Sequence, residues 1–169
     1  GEKELDVEGL AQEISARFTG NLAIEPGRYI MADSTVLLTR VNTIKETPEK
    51  TFIGVDAGFN TFLRPAMYGS YHCITPLEKR AQKKVYDVVG PLCESGDVFA
   101  EDRELPEVRE SDLLAILDVG AYGFSMSSNY NSTLKSAEVM VKNGKDYLIR
   151  EREKLEDLIS HQLVPKELK

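Results

Sequence analysis

Thr35-Val-Leu-Leu-Thr-Arg-Val-Asn-Thr-Ile44 decides how the rest of the chain reads. The stretch is dense in β-branched and aliphatic side chains and free of glycine and proline. That composition suits a pleated, half-buried strand better than a helix. Similar runs recur at Thr51–Val55, Ser70–Ile74, Lys84–Val89, Leu113–Leu117 and Ala137–Val141. Asn143-Gly144, between Val139/Val141 and Tyr147/Ile149, has the chemistry of a two-residue hairpin turn. Residues 35–169 are therefore expected to be mainly β: an antiparallel Greek-key barrel or sandwich of about seven strands. Residues 150–160 read as a final amphipathic helix with i,i+4 charge pairs, followed by a loose tail around Pro165.

Upstream of this block the pattern differs. Val7, Leu10, Ala11, Ile14 and Phe18 recur at helical spacing, with Asp6 and Glu8 near the start and Arg17 near the end, as the helix dipole prefers. Gly20 and Asn21 stop the helix, and Asn21-Leu-Ala-Ile-Glu25 reads as a short buried strand. Helix, turn and strand form the rhythm of an α/β unit, yet no second unit follows. Residues 1–34 are thus expected to be the tail of an α/β domain whose earlier part is missing.

The chain has 169 residues and a net charge of −7, which disfavours nucleic acid as a partner. No run of about 18 apolar residues is present to span a membrane. Cys73 and Cys93 lack CxxC spacing, and His72 and His161 form no ligand pair, so neither a zinc site nor a disulfide framework is expected. A reducing, cytoplasmic setting fits best.

Four segments carry chemistry-bearing residues. Gly90-Pro-Leu-Cys-Glu-Ser-Gly-Asp97 sets a thiol, Cys93, beside a carboxylate, Glu94, in a turn-prone loop. The segment reads either as a place for proton transfer or as a plain turn with a packed cysteine. Glu25-Pro26-Gly27-Arg28 follows the first strand, where α/β folds bind anions, and reads either so or as an exposed turn. Arg64 and Tyr68 share one face of a helical turn, so Arg64 either grips a carboxylate or pairs with a surface acid. Tyr122 sits in the glycine-punctuated run 120–131 after an apolar strand and is either a binding residue or half-buried packing.

Taken in order, Glu25-Pro-Gly-Arg28, Asp56-Ala-Gly58, Arg64-Pro-Ala-Met-Tyr-Gly-Ser-Tyr-His72, Gly90–Asp97, Asp102-Arg-Glu-Leu105 and Gly120–Asn131 resemble the diaminopimelate decarboxylase family. These are pyridoxal 5'-phosphate enzymes of the alanine-racemase-like fold. The resemblance runs over nearly the whole chain. It departs at Asn131–Ala137, where the family has an Arg-Pro-rich link, and at Ser34-Thr35.

The resemblance implies that residues 1–34 are the end of a cofactor-holding (β/α)8 barrel and 35–169 the C-terminal β domain. The lysine that bonds the cofactor belongs to the barrel, so no lysine of this chain is assigned to it. Glu25 would bond the pyridine nitrogen. Pro26, Gly27 and Arg28 would lie at the phosphate, with Arg28 also reaching a substrate carboxylate. Arg64 and Tyr68 would hold the far carboxylate of diaminopimelate, and Glu94 its far ammonium. Cys93 would supply the catalytic proton, and Tyr122 would touch both phosphate and substrate. The implied assembly is a homodimer whose Cys93–Glu94 loop reaches the partner's cofactor. Two alternatives remain at this point: a decarboxylase of ornithine or arginine type, or a non-catalytic β domain that binds a partner.

Overall fold

In a computed structural model, which describes residues 5–168, the chain is built around one strongly curved sheet. Helix α1 spans Val7–Arg17; the Asp6 carboxylate caps it by accepting the Gly9 N–H at 2.8 Å. The helix buries no residue. The expected strand at residues 21–25 does not form: these residues have no regular secondary structure, with Leu22 57% and Ile24 68% exposed. A strand needs a neighbour to take its N–H and C=O groups, and no described strand lies beside this one. A short helix α2, Gly27–Met31, and a 3-10 turn, Ala32–Ser34, lead into the β region.

The sheet contains β1 (Leu37–Glu46), β2 (Thr51–Val55), β3 (Ile74–Pro76), β4 (Lys83–Val89), β5 (Val98–Pro106) and β6 (Leu113–Ile116). Their order is β3-β6-β1-β2-β4-β5. All neighbours are antiparallel except β2 and β4, which run parallel. The end strands β3 and β5 curl toward each other, and the Arg103 guanidinium of β5 donates to the His72 carbonyl just before β3 at 2.8 Å. The sheet is thereby nearly closed. Its core is closely packed: Val41, Ile53, Val55, Phe62, Tyr86, Val88, Leu114 and Ile116 are each at most 2% exposed. Each such side chain contributes about 1.5–3 kcal/mol relative to full exposure.

Within the β region, three further elements differ from the sequence expectation. Ser70–Cys73 stay outside the sheet, and only Ile74–Pro76 pair, because the Arg64–Tyr68 helix, α3, delivers the chain at the strand's edge. The strand β5 was not anticipated at all. The last helix is shorter than 150–160: α4 covers Leu155–Ile159. Arg150 instead ends β8 (Lys145–Arg150), which pairs with β7 (Glu138–Lys142), and its guanidinium meets Glu138 across that hairpin rather than an i+4 partner. Asn143 (φ 53°) and Gly144 (φ 74°) make the expected left-handed turn.

Candidate functional site

Residues 90–97 form the turn between β4 and β5, and one carboxylate shapes it. Asp97 is 3% exposed. Its Oδ1 accepts the Phe59 N–H at 2.7 Å, and its Oδ2 accepts the Leu92 N–H at 2.9 Å. Its backbone carbonyl takes the Gly90 N–H at 2.8 Å. The sequence blocks at 56–60 and 90–97 are therefore tied together through a single side chain. Gly90 is required by the close approach, since a Cβ there would lie 2.2 Å from Asp97 Oδ2. Burial pushes the Asp97 carboxyl above the usual carboxylate range, while the two N–H bonds pull it back.

The same turn leaves Cys93 and Glu94 exposed to solvent. The hydroxyl of Tyr130 lies 3.4 Å from Glu94 Oε2, and the Tyr130 ring packs on Phe59 with centroids 5.3 Å apart. The acid is thus propped from the run that also carries Tyr122.

The second part of the site is a cleft. In α3, Arg64 and Tyr68 lie one turn apart, and Gly69 at φ 60° ends the helix. The Arg64 guanidinium is 5.1 Å from the Tyr68 ring centroid and 5.0 Å from that of Tyr122, so two aromatic faces orient it. Tyr122 itself adopts φ 63° and is 44% exposed.

From the other side comes α2, pinned by the Gly120 N–H to Ala32 O at 2.9 Å and the Val119 N–H to Thr35 O at 3.0 Å. A Cβ on Gly120 would fall 1.9 Å from the Met31 carbonyl. This contact brings Arg28 to the same cleft of about 580 Å³ that Arg64 lines, with Ser70, His72 and Asp118 in its wall.

His72 is 8% exposed, with Nδ1 3.0 Å from the Leu117 carbonyl and its ring edge-on to Phe62. Burial, together with the positive Arg64 and Arg103, holds its pKa below the usual imidazole value. The Leu117 carbonyl and Asp118 act the other way.

The structure therefore brings Arg28, Arg64, Tyr68 and Tyr122 together, and joins Glu94 to Tyr130. Tyr68 and Tyr122 join the cleft only through Arg64, and neither they nor Glu25, Cys93 and Glu94 are in its lining. Glu25 is exposed ahead of α2, Pro26 caps that helix, and nothing lies within 4 Å of the Cβ position of Gly27. Sequence reasoning gave no role to Asp97, Tyr130 or Ser70, and placed His72 in a strand. Asp97 had one usable signal, an acid closing a turn that opens on glycine. Among the described residues no group of His, Cys, Asp and Glu is placed to hold a metal ion.

Comparison with known proteins agrees with this architecture. Residues 28–120, more than half of the chain, match the family model described as pyridoxal-dependent decarboxylase, C-terminal sheet domain. Over 99% of its length the chain is 52% identical to a diaminopimelate decarboxylase of Methanothermobacter thermautotrophicus, covering 42% of that protein. It is 49% identical to the Archaeoglobus fulgidus diaminopimelate decarboxylase, with 92% of this chain and 40% of that protein covered. The chain thus spans about two fifths of these relatives' length. The crystal structure of the M. jannaschii diaminopimelate decarboxylase in co-complex with L-lysine superposes with a TM-score of 0.85 at 43% identity, covering 96% of this chain and 38% of that one. The chain belongs to the family of the pyridoxal-dependent decarboxylase C-terminal sheet domain.

Proposed function

We propose that this sheet domain serves a diaminopimelate decarboxylase, which releases CO2 from one end of meso-2,6-diaminopimelate and leaves L-lysine. The observation that carries the reading is the pair of guanidiniums, Arg28 and Arg64, facing one cleft with Arg64 held between the rings of Tyr68 and Tyr122. A substrate with a carboxylate at each end needs two such grips. Ornithine and arginine carry no distal carboxylate and would leave Arg64 without work.

The donors present fit pyridoxal 5'-phosphate. Gly27 leaves the first turn of α2 unobstructed, Arg28 adds a cation and Tyr122 a hydroxyl for the phosphate, and the exposed Glu25 carboxylate suits a protonated ring nitrogen. When bound, that cofactor supplies an electron sink for the carbon that loses CO2. The chain's own residues do the rest. Arg64 and Tyr68 orient the distal carboxylate, and Glu94 takes the distal ammonium. The Cys93 thiol gives a proton to the carbon that has lost CO2.

Residues 1–34 belong in this reading to the end of a cofactor-holding barrel, and 35–169 to the sheet domain. The exposed Cys93–Glu94 turn serves the cofactor of a second subunit in a homodimer. The two free cysteines suit a reducing cytoplasm. No helix among the described residues is long and apolar enough to cross a membrane.

The test is reconstitution with the barrel portion of a relative, followed by CO2 release from diaminopimelate, ornithine and arginine. Diaminopimelate is expected as the preferred substrate, with Arg64→Ala losing that preference. Turnover of ornithine or arginine alone rejects the proposal.

A further inference from the structure

The Glu94 carboxylate stands in solvent, yet it is mounted from two sides. Its Oε1 accepts from the Gly96 N–H at 3.3 Å and from the Ser95 hydroxyl at 3.5 Å, both within its own turn. Its Oε2 takes the Tyr130 hydroxyl at 3.4 Å, from a donor 36 residues away in sequence. The tyrosine is itself held. Its ring lies on Phe59 with centroids 5.3 Å apart, and the Phe59 N–H donates to Asp97 Oδ1 at 2.7 Å. Asp97 closes the turn that carries Glu94, so the contacts run in a ring through Glu94, Tyr130, Phe59 and Asp97. A second tie, from the Ser128 N–H to the Asn60 carbonyl at 2.8 Å, joins the two loops just before Tyr130.

The backbone after Tyr130 is strained. Asn131 (φ 54°) and Ser132 (φ 57°) are consecutive non-glycine residues in the left-handed region. Such a conformation persists only where its neighbours impose it, and it gathers at functional sites. Here the neighbours are identifiable. The Thr133 hydroxyl donates to the Tyr130 carbonyl at 2.7 Å, and Asn129 Nδ2 donates to Thr133 O at 2.9 Å and to Glu153 Oε2 at 2.6 Å. Packing on Phe59 explains the ring at position 130, which a phenylalanine would fill as well. It does not explain the hydroxyl. We infer that Tyr130 is a positioning residue whose hydroxyl aims the Glu94 carboxylate at the distal ammonium of the substrate. The inference deepens the role given to Glu94 above and rests on it. A free glutamate side chain loses rotamer freedom when it grips a ligand; one that is held beforehand does not lose it again. A carboxylate offers about four lone-pair sites, so an ammonium still finds an acceptor beside the Gly96, Ser95 and Tyr130 donors.

The test uses the decarboxylase reconstituted as above, with L-lysine and 6-aminohexanoate as competing inhibitors of diaminopimelate turnover. The two differ only in the ammonium beside the carboxylate, so the ratio of their inhibition constants reads the ammonium grip alone. Tyr130→Phe keeps the ring on Phe59 and removes only the hydroxyl. It is expected to weaken L-lysine about fivefold, and to leave 6-aminohexanoate binding and the urea midpoint of the chain unchanged. Glu94→Gln is expected to lose most of the preference for L-lysine. Adding Tyr130→Phe to Glu94→Gln should change the ratio no further, since the hydroxyl acts through the carboxylate.

Equal weakening of both inhibitors by Tyr130→Phe, an unchanged ratio, or additive losses in the double variant overturns the inference. Glu94→Gln separates the two levels. If it keeps the preference for L-lysine, the reading of Glu94 falls and this inference falls with it; if it loses the preference while Tyr130→Phe keeps it, only this inference falls. A measurement on the chain by itself needs no reconstitution. A nuclear Overhauser contact between the Tyr130 ring and the Glu94 side chain is expected in wild type, and its absence overturns the inference.

Discussion

Asp97→Ala removes the carboxylate that joins the 56–60 and 90–97 turns, and its cost follows from the bonds it breaks. The Phe59 and Leu92 N–H groups, now bonded at 2.7 and 2.9 Å, lose their acceptor. Each buried donor left unpaired costs about 1–3 kcal/mol, so the loss expected is about 2–6 kcal/mol. Asp97→Asn should cost about half as much, because one amide oxygen remains while the NH2 confronts the second N–H. Gly90→Ala attacks the same bonds from the other side, since its Cβ would sit 2.2 Å from Asp97 Oδ2 and displace the carboxylate. The two changes therefore must not add. Once Asp97 is alanine, Gly90→Ala has no carboxylate to displace, and a double-mutant cycle should show coupling of about 1–3 kcal/mol. Urea unfolding followed by circular dichroism measures all four proteins. Asp97→Ala within about 0.5 kcal/mol of wild type, or additivity of the pair to the same margin, refutes the reasoning.

The remaining expectations concern the cleft, acid stability and the thiol. Gly120→Ala drives a Cβ to 1.9 Å from Met31 O, so it should cost about 1–3 kcal/mol in urea and, by shifting α2, move Arg28 away from Arg64. Asp112 accepts a fork from the Arg80 guanidinium and the Arg109 N–H at 2.7 Å. The Arg80 bond, ahead of the opposing burial, holds its pKa below the usual carboxylate value. A depressed native pKa contributes stability above the unfolded value of about 3.9 that is lost as pH falls through the native one. Asp112→Asn should therefore be less stable at neutral pH and lose less between pH 5 and pH 2, by urea midpoints taken along that range. In the reconstituted decarboxylase, Cys93→Ala should lower kcat by about 10²-fold or more while cofactor affinity, read by absorbance titration, stays unchanged; equal losses in both would place Cys93 in cofactor binding instead.

Local pattern carried the strands whose side chains alternate or cluster as apolar runs. Thr39 and Val41 of β1 turn inward while Arg40 and Asn42 turn out, and β6 is a short run that is almost wholly buried. β5 was invisible for a definite reason. Glu101-Asp-Arg-Glu104 reads as a solvated charge run, yet each of the last three charges finds a partner remote in sequence. Lys50 bridges Asp87 and Asp102, the Arg103 guanidinium stacks 4.1 Å over the Tyr71 ring, and Glu104 meets Lys83 at 2.7 Å. A window confined to the strand sees charges; the sheet sees satisfied pairs. The converse error befell residues 21–25, where Leu22 and Ile24 look like core but meet no partner strand among the described residues.

The site divides along the same line. Residue types and their order disclosed which side chains carry charge or a labile proton, because those properties are local. What holds them in place is not local. Arg64 depends on Tyr122, distant in the chain; Arg28 depends on a glycine, Gly120, that lets a carbonyl approach; and the Cys93–Glu94 turn depends on an acid that bonds Phe59 across a different loop. In each case the support comes from a residue or backbone group remote in sequence. A reading confined to neighbouring letters therefore finds the reagents and misses the mounting. His72 shows the consequence. As a letter it offered only a strand residue with no second ligand at metal spacing. Its bond to the Leu117 carbonyl fixes which nitrogen carries the proton, and its burial beside two arginines lowers its pKa; both depend on residues remote from it in the chain.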